Sequence, residues 1–341
     1  MGALKKKTGV YYGVNAALTV VVFAVLLVLI DSGTLSRFNT TMITNMCINV
    51  ILAVSLNLVT GILGQLVLGH AGFMLAGAYA AALFTKNVGL PLSIGLPIGL
   101  VLGGLLAALF GVVIGIPALR LRGDYLAIIT LGFGEIIRVV SINLKITNGA
   151  MGLGGIGSLQ TRDNPAGMFI YAFAIAALLI FLSFTFGRSR HGRAVISIRE
   201  DEIASESMGI NTTYYKLFAF VLAAFFAGVA GGLAAHQTGM IDPSKYDFNR
   251  SVEILIMVVL GGMGSITGSV ISASVLTLLP EVLRGFDQYR MLVYSIILIL
   301  VMLFKPSGLL GRYEISIPGL AQKFLRFVRN RRSGKAPKGE A

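Results

Sequence analysis

The chain has 341 residues, of which 55% are hydrophobic and only 13% charged, with a mean hydropathy of +0.83. Soluble domains carry about 25% charged residues, so this composition excludes a water-soluble fold and implies a polytopic all-α bundle in a membrane. The formal net charge is +13, but the bases gather at the two chain ends and in two internal loops, which is a membrane-orientation pattern and not a nucleic-acid face.

Ten apolar segments follow in order, at 14–30, 40–60, 65–85, 91–116, 124–142, 167–186, 214–236, 252–264, 267–281 and 290–304. Spanning a bilayer takes about 20 such residues. Lys5, Lys6 and Lys7 precede the first segment as they would a signal peptide, but no small-residue cleavage site follows, and a retained helix is expected. The eighth and ninth segments are short and meet at "GGMGSITG". They predict either two full spans or a re-entrant hairpin, hence ten crossings or eight plus a hairpin. The organisation expected is a cytoplasmic tail over 1–13, a membrane domain over 14–304 with a long loop at 187–213, and a basic cytoplasmic tail over 305–341. With both termini inside, 19 of the 28 basic residues fall on the cytoplasmic side, as the positive-inside rule requires.

Glycine, at 42 residues, exceeds the usual ~7% and recurs at four-residue spacing: Gly95, Gly99 and Gly103; Gly111 and Gly115; Gly228 and Gly232; Gly264 and Gly268. These are expected to be helix-contact faces inside one subunit. In the approach to the third segment, Asn57, Gln65 and His70 interrupt an apolar run, which suits either a broken helix lining a solute pathway or hydrogen bonding across helices. Glu135 and Arg138, at i and i+3 within the fifth segment, share a face and can pair. An ionisable intramembrane residue is also a pathway candidate. "GLGGIG" at 152–157 lacks the strand and helix a dinucleotide site needs and reads as a flexible external loop. The single cysteine and three scattered histidines show no disulfide or metal-ligand pattern.

The stretch "SIREDEIASESMGI" (197–210) carries four acids in seven residues, Glu200, Asp201, Glu202 and Glu206. Ser197 and Glu200 have capping-box spacing, and Gly209 suits a helix end, so one helix over 198–208 is predicted, with Ile198, Ile203 and Ala204 as its apolar strip. At 1.5 Å per residue it is roughly 16 Å long, too short to span a bilayer. A solvated surface helix is the plain interpretation; a handle for a soluble partner is the functional one.

"EIASESMGIN" resembles the coupling-loop motif of permeases of ATP-binding-cassette importers. Blocks 56–82, 119–140, 197–233 and 259–273, which include "LNLVTGILGQLVLGHAGFM", "LRLRGDYLAIITLGFGE" and "VLGGMGSITGSVISA", are similar to the LivM-type permease of branched-chain amino-acid importers. Related permeases in the same group carry urea and short-chain amides. The resemblance implies a bacterial inner-membrane protein with two cytoplasmic ATPase subunits, a second permease subunit and an external binding protein as partners. It also implies that Arg199, Glu200, Glu202, Glu206 and Gly209 serve contact with the ATPase. No G-x-x-x-x-G-K-[ST] loop occurs in the chain, so no cofactor is expected in it, and ATP and Mg would reside on the partners. A stand-alone secondary transporter would be expected to show more intramembrane acids, and a membrane enzyme a polar catalytic cluster.

Overall fold

The computed structural model describes residues 19–121, 123–161, 164–305, 307–311 and 314. The start of the first segment, the N-terminal tail and most of the basic C-terminal tail lie outside the described residues. The chain folds into a polytopic all-α bundle. Its helices are α1 (Thr19–Asp31), α2 (Arg37–Asn57), α3 (His70–Asn87), α4 (Leu92–Ala118), α5 (Asp124–Asn143) and α6 (Gly167–Arg188). Then come α7 (Arg190–Glu200), α8 (Glu202–Ser207), α9 (Thr212–Thr238), α10 (Phe248–Gly261), α11 (Ile266–Val282) and α12 (Arg290–Phe304). Each of the ten expected segments has a helix. Among the described residues six helical stretches are long and apolar enough to cross a membrane: α2 with the turn after it, α4, α5, α6, α9 and α11 with the turn after it.

Burial ranks them. In its most apolar window α2 is 94% buried, whereas α5 is only 28% buried. The central helix is therefore α2, and α5 shows an apolar face with Ile128, Ile136 and Val139 to the outside. The trio α3, α4 and α9 interlocks most closely, and α9 joins it to α2. Small residues make this approach achievable: a Cβ on Gly77 would run into the Gly228 backbone, one on Gly103 into the Gly77 carbonyl, and one on Gly231 into the Met74 carbonyl. Gly111 and Gly115 likewise face Val221, Ala224 and Leu217 of α9. The glycine repeats of α4 and α9 are contact faces within the subunit, whereas Gly264 of the Gly264–Gly268 pair lies in the turn before α11 at a φ of +93° and only Gly268 packs helix on helix, against Gly261.

The "GLGGIG" segment carries more order than its composition predicts. Leu153–Gly154 forms a short strand, β1, paired antiparallel with β2 (Met240–Ile241). Gly152 permits this approach with a φ of +74° and no side chain to strike the Ile241 carbonyl. This pairing marks one end of the bundle, together with the start of α2, whose Arg37 donates to the Gln160 carbonyl at 3.3 Å, and the turn after α11, whose Arg284 lies over the Phe38 ring. At the other end lie α7, α8 and the α10–α11 turn.

Helix α10 ends at Gly261 on the α8 side of the bundle, and α11 runs back from the turn. With 14 residues α10 is only about 21 Å long, short of the ~30 Å hydrocarbon core, whereas α11 with the turn after it is long enough to cross. The turn Gly262–Ser265 is held by the segment beyond α12: the Leu309 N–H donates to the Leu260 carbonyl at 2.7 Å and the Ile266 N–H to Glu314 Oε1 at 2.6 Å.

The third segment differs from its expected 65–85 span. After α2, Leu58–Leu63 forms a π-helical turn that Gly64 closes at a φ of +79°. Residues 64–69 are non-helical, and α3 begins at His70. Non-helical backbone at membrane depth is stable only where protein satisfies it. Here the Leu68 N–H donates to Thr130 Oγ1 and the Ala71 N–H to Ser251 Oγ, both at 3.1 Å.

Glycine at position 231 should be required for this packing. Gly231→Val places carbon on the Met74 carbonyl, and overpacking costs about 1–3 kcal/mol or more, so the thermal midpoint of detergent-purified protein should fall by several degrees or the fold be lost. Gly132→Ala meets nothing within 4 Å and should leave the midpoint unchanged or raise it. Equal effects of the two substitutions would refute the packing account.

Candidate functional site

The 187–213 loop contains two helices, not one. Ser189 caps α7 by accepting from the Gly192 N–H at 3.0 Å, and Gly192 has no room for a Cβ beside the Phe186 carbonyl. Val195 and Ile198 are the buried residues that seat α7 on the bundle. The predicted capping box is not formed: Ser197 lies inside α7 and donates its hydroxyl to the Ala194 carbonyl at 2.8 Å. Asp201 instead breaks the chain, in extended conformation, and caps α8 by accepting from the Ala204 N–H at 3.0 Å. An aspartate one residue ahead of the first turn accepts that N–H without the rotamer search of a longer acid, which is why it displaces the Ser197–Glu200 arrangement. After Met208, Gly209 takes a φ of +82°, and the Gly209 and Ile210 N–H groups close the helix on the Glu206 and Ser205 carbonyls. The role expected of Gly209 as a helix terminator is the one observed.

Besides Gly209, the four residues singled out in this loop divide into two groups. Arg199 turns inward. Its Nη1 donates to the Gly61 carbonyl in the π turn at 2.5 Å, and its aliphatic stem fills the place a Gly64 side chain would take. Glu202 also turns inward, 2.7 Å from Lys216 Nζ of α9, whose side chain is only 4% exposed. A buried lysine needs such a partner, because an isolated ammonium out of water is costly. Glu200 and Glu206 are exposed. Beside them stand two apolar side chains that sequence reasoning did not assign outward, Ile203 at 67% and Met208 at 83% exposure. The outer surface of α8 is thus an apolar tip edged by carboxylates, fixed from beneath by two cations. Its signal lay in Ile203 and Met208 following the Asp201 cap, a spacing that makes sense only once the helix starts at Glu202.

The other candidates form separate groups. Asn57 is buried and spans the junction: its Nδ2 donates to the Ser265 carbonyl and its Oδ1 accepts from the Gly264 N–H, both at 2.9 Å. Gln65 follows the π turn, with its N–H on the Val59 carbonyl at 3.1 Å and its Oε1 buried without a hydrogen-bond partner. Asn57 and Gln65 therefore join Arg199 around the unwound end of α2. His70 stands apart, its Nε2 2.9 Å from Ser55 Oγ. Glu135 and Arg138 pair on α5 at 2.7 Å, with about a third and a quarter of their side chains exposed. Their face is the one α5 turns outward. Among the described residues no group of three His, Cys, Asp or Glu side chains is arranged to hold a metal ion.

Comparison with known proteins adds the lineage. Residues 38–304 match a family model described as the branched-chain amino acid transport system permease component. The high-affinity branched-chain amino acid transport system permease protein LivM of Salmonella typhimurium is 40% identical over 81% of this chain and 70% of its own length. LivM of Escherichia coli K12 is 39% identical over 83% of this chain and 71% of its own. The permease protein LivH of E. coli K12 is 35% identical over 42% of this chain and 45% of its own. The chain belongs to the permease-component family of the branched-chain amino acid transport system.

Proposed function

We propose that this chain is the permease subunit of an ATP-driven importer, carrying branched-chain amino acids received from an external binding protein. In this assignment α8 is the handle through which two cytoplasmic ATPase subunits act. The observation that carries it is the construction of α8: a surface tip with Ile203 and Met208 outward, tied by Arg199 to the unwound end of α2 and by Glu202 to α9. A merely solvated loop has no need of a buried lysine beneath it. The similarity to both LivM and LivH supports pairing with a second, homologous permease. ATP and Mg bind on the partners. The excess of bases in the α7–α8 loop and in the tails supports a cytoplasmic position for that end and for both termini.

Orientation is tested by labelling. Met151 and Met208 are 86% and 83% exposed at opposite ends, and the native Cys47 is buried. In intact cells an impermeant thiol reagent should label a Met151→Cys variant and not a Met208→Cys variant. The reverse pattern would overturn the orientation.

Coupling is tested by separating the outward from the inward residues. Burying an aliphatic anchor is worth about 1.5–3 kcal/mol, and 1.4 kcal/mol is tenfold. Ile203→Asp combined with Met208→Asp should therefore reach the membrane in normal amounts yet lose ATPase stimulation and uptake at least tenfold. Glu202→Gln should lower the amount and thermal stability of the protein itself, because it strands Lys216. Removing one partner of a fully buried pair costs ~3–5 kcal/mol; here the quarter-exposed carboxylate reduces this to about 2–3 kcal/mol. Undiminished uptake by the double variant would refute the docking role of α8.

A further inference from the structure

At the β end, opposite α8, a cavity of about 480 Å³ opens between α3, α9 and the start of α10. Its size falls within the range of about 300–1,000 Å³ typical of small-molecule pockets. Its floor is apolar, with Met74, Ala234 and the buried Tyr246, and its rim holds charges of both signs, Asp242, Asp247 and Glu253 against Lys245 and Arg250.

The charges are positioned by the chain. Asp242 accepts from Ser244 twice, from its N–H at 3.0 Å and its hydroxyl at 2.6 Å. These bonds hold its carboxyl below the usual carboxylate range. Both fall on Oδ1, so Oδ2 keeps its capacity to accept. Asp247 caps α10 through the Arg250 N–H at 3.1 Å. Arg250 sends Nη1 to Glu253 at 2.9 Å and Nη2 to Asn49 of α2 at 2.7 Å, and Asn49 is held by Thr277 of α11 at 2.9 Å. Behind the rim, burial pushes the Tyr246 phenol up to about 12; Arg250 pulls it down, and nearby Tyr79 and Asp242 add to the rise. The Tyr79 hydroxyl is buried there without a hydrogen-bond partner.

We propose that this cavity binds the zwitterion of an α-amino acid as it enters the permease. The ammonium lies against Asp242 and Glu253, the carboxylate against Lys245 and Arg250, and the aliphatic side chain on Met74, Ala234 and the Tyr246 ring. Opposite charges a few ångströms apart over an apolar floor match a molecule that has both charges on one carbon and a hydrocarbon branch beside them. A neutral amide has no charge to offer either Lys245 or the free Oδ2 of Asp242. The proposal rests on the importer assignment, which it extends by naming the substrate class and its residues.

The test is equilibrium binding of radiolabelled L-leucine to the complete transporter in lipid nanodiscs, without the binding protein, set beside uptake in proteoliposomes. Leucine should bind saturably, while 4-methylpentanoate and isopentylamine, which each lack one of the two charges, should compete at least tenfold less well. Lys245→Gln and Glu253→Gln should each weaken leucine binding tenfold or more at unchanged thermal stability, since neither side chain anchors a helix. Arg250→Gln is expected to disturb Asn49 as well, so the Lys245 and Glu253 variants decide. Equal competition by the single-charge analogues, wild-type leucine binding in both variants, or an effect confined to capture of the binding protein would overturn the proposal. Leucine uptake that persists without leucine binding at this cavity refutes only the site, whereas absence of leucine uptake altogether refutes the importer assignment.

Discussion

Where α2 unwinds, backbone groups are released inside an apolar bundle, and each must find a partner in the protein because lipid offers none. The rest of the fold is arranged around that requirement. Arg199 of α7 takes the Gly61 carbonyl, Asn57 spans to Gly264 and Ser265, Thr130 of α5 takes the Leu68 N–H, and Ser251 of α10 takes the Ala71 N–H. Four separate elements thus meet at one break. An unmet buried carbonyl costs about 1–3 kcal/mol, so each of these contacts holds its helix to the unwound segment with an energy comparable to an aliphatic side chain in a core.

The same constraint explains the residue types. Arginine is the side chain that reaches a carbonyl while lying flat along glycine backbone, and its stem occupies the space left by Gly64, with its head close to Gly264. Lysine at 216 has a different task. It is a compact charge beneath α8, answered by Glu202, and it fixes the height of that helix above α9. One cation holds the loop to α2 and the other holds it to α9, so α8 has little freedom to rock without breaking a charge-assisted bond.

Composition and periodicity carried much of this architecture. The ten apolar segments, the break near Gln65 and the helix end at Gly209 can all be read from residue order, because each rests on local rules of length, hydropathy or turn chemistry. Three things escaped. The helix α7 was hidden because "RHGRAVISIRE" has only Val195 and Ile198 as buried anchors in a polar run. The inward turn of Arg199 and Glu202 depends on Gly61 and Lys216, residues far along the chain or across a loop, and no periodicity encodes that pairing. The cavity was missed for a third reason. Asp242, Lys245, Asp247 and Arg250 look in sequence like an ordinary polar connection between helices, and only the docking of α3 behind them turns the connection into a wall.

Helix α10 links these features. Its first turn carries Asp247 and Arg250 at the cavity, and Arg250 reaches α2 and, through Asn49, α11. About 21 Å away its last residue adjoins the Gly262–Ser265 turn that Asn57 clasps beside Arg199. Fourteen residues of continuous helix cannot shorten, so a shift of the cavity wall along the α10 axis must be accommodated at that turn. The turn is made of glycines at φ +107° and +93°, conformations that hold the chain in place only while Asn57, Glu314 and the Leu309 and Leu310 N–H groups remain bonded to it. The cavity and the end that carries α8 are therefore joined by one rigid rod and one hydrogen-bonded hinge. The unwound end of α2 sits where that hinge and the α7–α8 loop meet.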